Sequence, residues 1–208
     1  AIKILMGFAA VYMAIVFIGM GVGVYFFIED RNMGDPFDVI NKYMIYYIGI
    51  DLVFRYMLQK MPVTNIKPLL YLPFKKSQVV NFSLGKTILS YFNWSHAFFF
   101  IPFSIVLLVK DYSPMGVISW HIAMIAIMYC NNFINILVNN KDKVFYPVVG
   151  LLGILGLCQY YELFDITTYT APFFGALYTL PWMALILWAI AIGLYYAAFQ
   201  YFKNNLYL

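Results

Sequence analysis

Lys67–Lys86 reads KPLLYLPFKKSQVVNFSLGK, and the fold of the whole chain turns on it. It carries Lys67, Lys75, Lys76 and Lys86 without one acidic residue, and Pro68 and Pro73 punctuate it. Apolar runs flank it on both sides, each long enough for a bilayer crossing, which takes about 20 mostly apolar residues. A basic segment between two such runs reads as a cytoplasmic loop, since lysine and arginine collect on that side of the membrane. Within it, LLYLPF and SQVVNFSL are amphipathic and read as short helices at the membrane surface, open to a soluble partner.

Composition agrees with that reading. The 208 residues are 64% hydrophobic and 11% charged, with a mean hydropathy of +0.80. A soluble domain carries about 25% charged residues. The expected fold is therefore an all-α integral membrane protein, one domain over residues 1–208. Six spans are expected, at about 4–28, 39–58, 87–109, 117–138, 144–158 and 182–202, with a loop at 60–86. No soluble domain fits beside them. Cys130 and Cys158 both sit in apolar runs and read as free thiols. The net charge of +4 is assigned to lysines at the membrane surface rather than to nucleic-acid binding. The first apolar run is too long for a signal peptide and lacks a cleavage site before a soluble domain. The chain starts at Ala1 rather than Met, which points to a trimmed N-terminus or a piece of a longer protein.

The connecting segments complete the topology. Glu29–Asp38 is acidic and turn-forming, and Lys110–Gly116 and Asn139–Lys143 are tight turns. Tyr160–Pro181 mixes two acids, four threonines and two prolines. Such a segment can dip into the membrane where protein covers its backbone. Gly19 and Gly23, with Gly21 between them, and Gly150, Gly153 and Gly156 suit close helix approach. With the 60–86 loop inside, nine lysines are cytoplasmic (Lys3, Lys60, Lys67, Lys75, Lys76, Lys86, Lys141, Lys143, Lys203), against Arg31 and Lys110 outside. That bias places both termini in the cytoplasm.

Candidate chemistry is sparse. LGKT at Leu84–Thr87 lacks the glycine that a phosphate-binding loop needs five positions earlier, where Val80 stands, so ATP binding by this chain is rejected. Asp51 and Arg55 are four residues apart and share a helix face. Charges within a span default to a functional site, but a structural pair with Arg55 snorkelling to the inner interface is the preferred reading. His96 and His121 have no Cys or carboxylate at ligand spacing, and Ser95 beside His96 faces another direction on a helix, so neither a metal nor a catalytic group is expected. Asn131, Asn132 and Asn135 cluster in the fourth span; Asn131 and Asn135 stack on one face, and the group reads as inter-helix glue, with a substrate path as the alternative. No enzyme and no cofactor is expected.

LLYLPFKKSQVVNFSLGK resembles the pattern of permease subunits of ABC-type exporters of the six-span type 2, or type V, kind. The matching residues are Leu69, Leu70, Leu72, Pro73, Lys75, Lys76, Ser77, Val79, Val80, Gly85 and Lys86. In such permeases this stretch joins spans two and three and includes the coupling helix that docks on the ATPase. NIKPLLYLPFKKSQ and APFFGALY are similar to a poorly characterised bacterial permease-like family whose members continue further, which would make this chain a first half. The resemblance implies a bacterial inner-membrane location, a cytoplasmic ABC ATPase, a second six-span half and a partly re-entrant segment between spans five and six. One departure is the missing amphipathic helix before the first span. The physics of the role is consistent: a subunit without nucleotide-binding residues receives ATP energy mechanically, and Pro68 and Pro73 stiffen the loop by fixing φ. A non-transporting scaffold subunit is the alternative, and a proton-coupled carrier resting on Asp51 is the weakest of the three.

Overall fold

A chain in hydrocarbon must satisfy its backbone N–H and C=O groups internally, and a helix does so within a single segment. The computed structural model is all-helical over the residues it describes, 2–59, 73–138 and 142–205. Eight helices are described: α1 (Ile2–Asp30), α2 (Pro36–Leu58), α3 (Lys76–Ile88), α4 (Tyr91–Val109), α5 (Pro114–Val138), α6 (Asp142–Tyr160), α7 (Thr167–Thr179) and α8 (Trp182–Asn205). Leu69, Leu70 and Leu72 of the basic loop lie outside the described residues.

Among the described residues, four stretches are long and apolar enough to cross a membrane: Gly7–Asp30, Lys76–Val109, Pro114–Val138 and Trp182–Asn204. The other two expected spans are helical but weaker on these criteria. α2 has 23 residues yet carries Asp38, Lys42, Asp51 and Arg55. α6 is apolar only over Phe145–Tyr160.

Helix starts follow from local chemistry. Asp35 Oδ1 accepts from the backbone N–H of Phe37 (2.9 Å) and Asp38 (3.1 Å), while Pro36 occupies the first turn, where its missing donor costs nothing. Pro114 starts α5 in the same manner. Asp165 Oδ1 accepts from the Thr167 N–H (2.9 Å) and hydroxyl (2.6 Å) ahead of α7. The Thr167 hydroxyl bond favours the anion and holds the Asp165 carboxyl below the usual carboxylate range. α7 has 13 residues, about 20 Å at 1.5 Å per residue, short of a full crossing.

The sequence reads as a third span growing directly out of the basic loop; the structure instead breaks the two apart. α3 ends at Ile88, and the chain turns at Leu89–Ser90 before α4. The reason is Asn93, whose Nδ2 donates to the carbonyls of Thr87 (2.9 Å) and Ile88 (3.0 Å). Those acceptors would otherwise await backbone donors of a continuing helix.

α5 is the central helix, packing against α8, α4, α7 and α2, while α1 leans on α4. The glycine that admits α4 to α1 is Gly21, not the Gly19 and Gly23 pair. A Cβ at Gly21 would lie 2.4 Å from the Phe99 carbonyl oxygen, whereas Gly19 and Gly23 face open space. Gly150, Gly153 and Gly156 of α6 also face open space. Two apolar cores result. One surrounds the fully buried Trp120 with Phe37, Phe100, Phe103, Met124 and Leu177; the other joins Val80 and Leu84 of α3 to Phe133, Ile136, Ala198 and Phe202.

Candidate functional site

Residues 51 and 55 of α2 fall one turn apart along one face, and residue 59, at the C-cap, follows at the same spacing. Asp51, Arg55 and Gln59 there are 8%, 0% and 8% exposed. Facing them are Asn93 and His96 from the start of α4 and Asn131, Asn132 and Asn135 from α5. Thr87 at the end of α3 closes the group. Burying two charges costs several kcal/mol per ion unless each is paired and its remaining hydrogen-bonding capacity is used. The cluster meets that demand nearly in full.

Arg55 Nε donates to Asp51 Oδ2 at 2.7 Å. Its Nη1 donates to Asn93 Oδ1 (2.8 Å) and, at longer range, Gln59 Oε1 (3.4 Å), and its Nη2 to the Phe92 carbonyl (3.1 Å). Asp51 Oδ2 also accepts from Asn131 Nδ2 at 2.9 Å, and that amide reaches the Ile48 carbonyl as well. Asp51 Oδ1 meets His96 Nε2 at 2.9 Å, and His96 Nδ1 meets the Tyr47 hydroxyl. A carboxylate only accepts, so Nε2 carries the hydrogen, and in the neutral ring Nδ1 accepts from Tyr47.

The network continues towards α3. Gln59 Nε2 donates to Asn132 Oδ1 (2.8 Å), and Asn132 Nδ2 donates to Thr87 Oγ1 (3.1 Å). Thr87 Oγ1 in turn donates to the Leu84 carbonyl at 2.7 Å. Asn135 Nδ2 reaches the Arg55 carbonyl and Gln59 Oε1, both at 3.4 Å. The end of α2 and the start of α4, the two roots of the basic loop, are thereby clamped to each other and to α5.

These contacts correct two expectations. Arg55 does not snorkel: it has no exposed surface and spends its donors sideways on α4. His96 does have a carboxylate partner, 45 residues away in sequence and therefore invisible to local spacing. Asn131 and Asn135 both hydrogen-bond across to α2 and the residue that ends it. Sequence reasoning missed Tyr47, Gln59, Asn93 and the role of Thr87, and it named Asn132 without giving it a partner. Gln59 alone had a legible signal, continuing the four-residue spacing of Asp51 and Arg55.

Of the loop residues, Lys75 stands at the N-cap of α3, its N–H bonded to Gln78 Oε1 at 3.0 Å. Pro73 precedes it, while Lys76, Ser77, Gly85 and Lys86 lie on α3. α3 buries Val79, Val80, Ser83, Leu84 and Thr87 and presents Phe74 and Phe82, 57% and 61% exposed, beside it. Two hollows adjoin the cluster. One of about 160 Å³ lies between α4 and α5, walled by Asn93, His96, Ala97, Phe100, His121 and Tyr129 among others. A shallower apolar groove of about 410 Å³ runs between α5 and α8, past Tyr129, Phe133, Trp188 and Tyr195. Among the described residues no three His, Cys, Asp or Glu side chains converge as a metal-binding group.

The chain belongs to a family of unknown function, DUF5687, whose model matches residues 1–208. No curated protein and no solved structure matches it.

Proposed function

We propose that this member of the family is the membrane permease subunit, or first half, of an ABC-type exporter in a bacterial inner membrane. It moves substrate with ATP hydrolysed by a separate cytoplasmic ATPase and works with a second six-span half. The proposed topology has α1, α2, α4, α5, α6 and α8 as spans, both termini inside, and α7 as a re-entrant helix. The observation that carries the reading is the clamp on the loop. α3, with Lys75 at its head and Lys76 and Lys86 along it, is tied through Thr87, Asn93 and Asn132 to Arg55 and Gln59. A push on α3 therefore reaches the roots of α2 and α4 through hydrogen-bonded side chains.

A scaffold subunit without transport is the second reading. It is favoured by Gly19, Gly23, Gly150, Gly153 and Gly156, which leave helix faces open to neighbours. A photo-crosslinking benzoylphenylalanine at position 82 separates the two. A protein adduct bearing nucleotide-binding motifs supports the permease, and adducts confined to lipid or other membrane proteins contradict it.

A further inference from the structure

α8 lies against α5, and three of its alanines spaced seven residues apart, Ala184, Ala191 and Ala198, are 5%, 2% and 0% exposed. Small side chains let helix backbones approach closely, so the large side chains beside the seam stand up as walls. Tyr129 and Phe133 of α5 and Trp188, Ile192 and Tyr195 of α8 line the apolar groove of about 410 Å³, with Ile88 at the end of α3 on its flank. Ligand pockets occupy about 300–1,000 Å³, and this groove falls in that range. Trp188 and Tyr195 are about 10 Å apart along α8, so the groove is about 40 Å² in section, half that of a helix about 10 Å across. Its width suits a flexible hydrocarbon chain rather than another helix.

One end of the groove is basic. The Tyr195 hydroxyl donates to Asn81 Oδ1 at 3.0 Å and joins α8 to α3 there. Beyond it, Ala198 and Phe202 pack with Val79 and Val80, which brings the last turns of α8 alongside the first turns of α3. Lys203 and Lys75 stand at those two helix ends, both exposed, and neither helix contains an acid. Lys203 Nζ lies 6.0 Å from the Phe199 ring, so its charge leans back along α8 towards the groove. Lys203 and Trp188 are fifteen residues apart, about 22 Å. That matches one leaflet of a bilayer about 40–45 Å thick with its headgroups.

We propose that the groove binds an anionic phospholipid, one acyl chain lying past Tyr129 and Trp188 and the phosphate held at the Lys203 and Lys75 end. Lipid tails are as apolar as leucine, so the groove alone does not choose among lipids. The headgroup charge does: each nearby lysine favours an anionic lipid about fivefold, and two about thirtyfold. A bound lipid ties α3, α5 and α8 together, a property that does not rest on the permease reading.

The test is quenching of Trp188 fluorescence by mid-chain brominated phospholipids in phosphatidylcholine vesicles. W94F/W182F removes the two exposed tryptophans and serves as parent, while Trp120 is fully buried. Expected is half-maximal quenching by brominated phosphatidylglycerol at a mole fraction at least tenfold lower than by brominated phosphatidylcholine. K203Q should cut that preference about fivefold and K203R should keep it. I192F, at an exposed position on the groove, should abolish it by filling the space. Equal quenching by both lipids in the parent would overturn the proposal, and with dimers captured by crosslinking would assign the groove to a second copy. A preference unchanged in K203Q would overturn the headgroup's placement, and one unchanged in I192F would overturn the groove.

Discussion

Asp51→Asn is the sharpest perturbation of the cluster, because it removes one charge and almost no volume. Asp51 receives three side-chain hydrogen bonds, from Arg55, Asn131 and His96. An asparagine has one acceptor oxygen, so whichever way its amide turns, its NH₂ meets either His96 Nε2–H or the Arg55 and Asn131 donors. Arg55 meanwhile keeps its charge with no exposed surface. Side-chain hydrogen bonds between membrane helices average about 0.6 kcal/mol each, so the one or two bonds lost set a floor of about 0.6 kcal/mol. Leaving a buried partner charge uncompensated raises that towards about 3–5 kcal/mol. Arg55→Met should cost a similar amount by stranding the carboxylate. Removing both charges, in D51N/R55M, should cost at least about 2 kcal/mol less than the sum of the single changes, since neither charge is left alone. Unfolding in bicelles by added denaturing detergent, followed by tryptophan fluorescence, measures all three. A D51N cost under about 0.5 kcal/mol, or strict additivity, would refute the buried pair.

Other expectations follow from single contacts. Gly21→Val puts a side chain where even a Cβ lies 2.4 Å from the Phe99 carbonyl, so α1 should detach from α4 and stability fall by more than about 2 kcal/mol. Gly23→Ala, facing open space, should leave the unfolding curve unchanged within about 0.5 kcal/mol. Asn93→Ala removes an Arg55 acceptor and the cap on the Thr87 and Ile88 carbonyls, and should cost about 1–3 kcal/mol in the same assay. The Asp165–Thr167 contact lowers a folded-state carboxyl, so its stabilisation is complete above the ordinary value of about 3.9 and lost as pH falls through the lowered one. Amide exchange at the start of α7 should rise, beyond its intrinsic pH dependence, as the pH is lowered through that window, and D165N should show the raised exchange at every pH.

Much of the helical framework was legible because apolar run length and turn residues act locally. The turns at Glu29–Asp38 and Lys110–Gly116 were expected, but the structure starts α2 at Pro36 and α5 at Pro114, three residues before the expected spans at 39 and 117. α2 and α6 show the limit of that reading: both are helices, yet charge in one and shortness in the other keep composition alone from making them spans. The break at Leu89–Ser90 escaped because its cause is the Asn93 side chain, which looks like any polar residue near a helix start. Half of the site was visible in the spacing of Asp51 and Arg55 and of Asn131 and Asn135. His96 and Asn132 were noticed but left without partners, because those partners are 45 and 73 residues distant and only packing brings them together.

Co-purification tests the coupling role of α3 most directly. The intact protein, drawn from its native membrane in mild detergent, is compared with a K75E/K76E variant, and accompanying chains are identified by mass spectrometry. An ATPase that accompanies the native protein and is lost with the charge-reversed helix is the expected result. No ATPase with either form, alongside stable association with other membrane proteins, would contradict the permease reading and leave the scaffold.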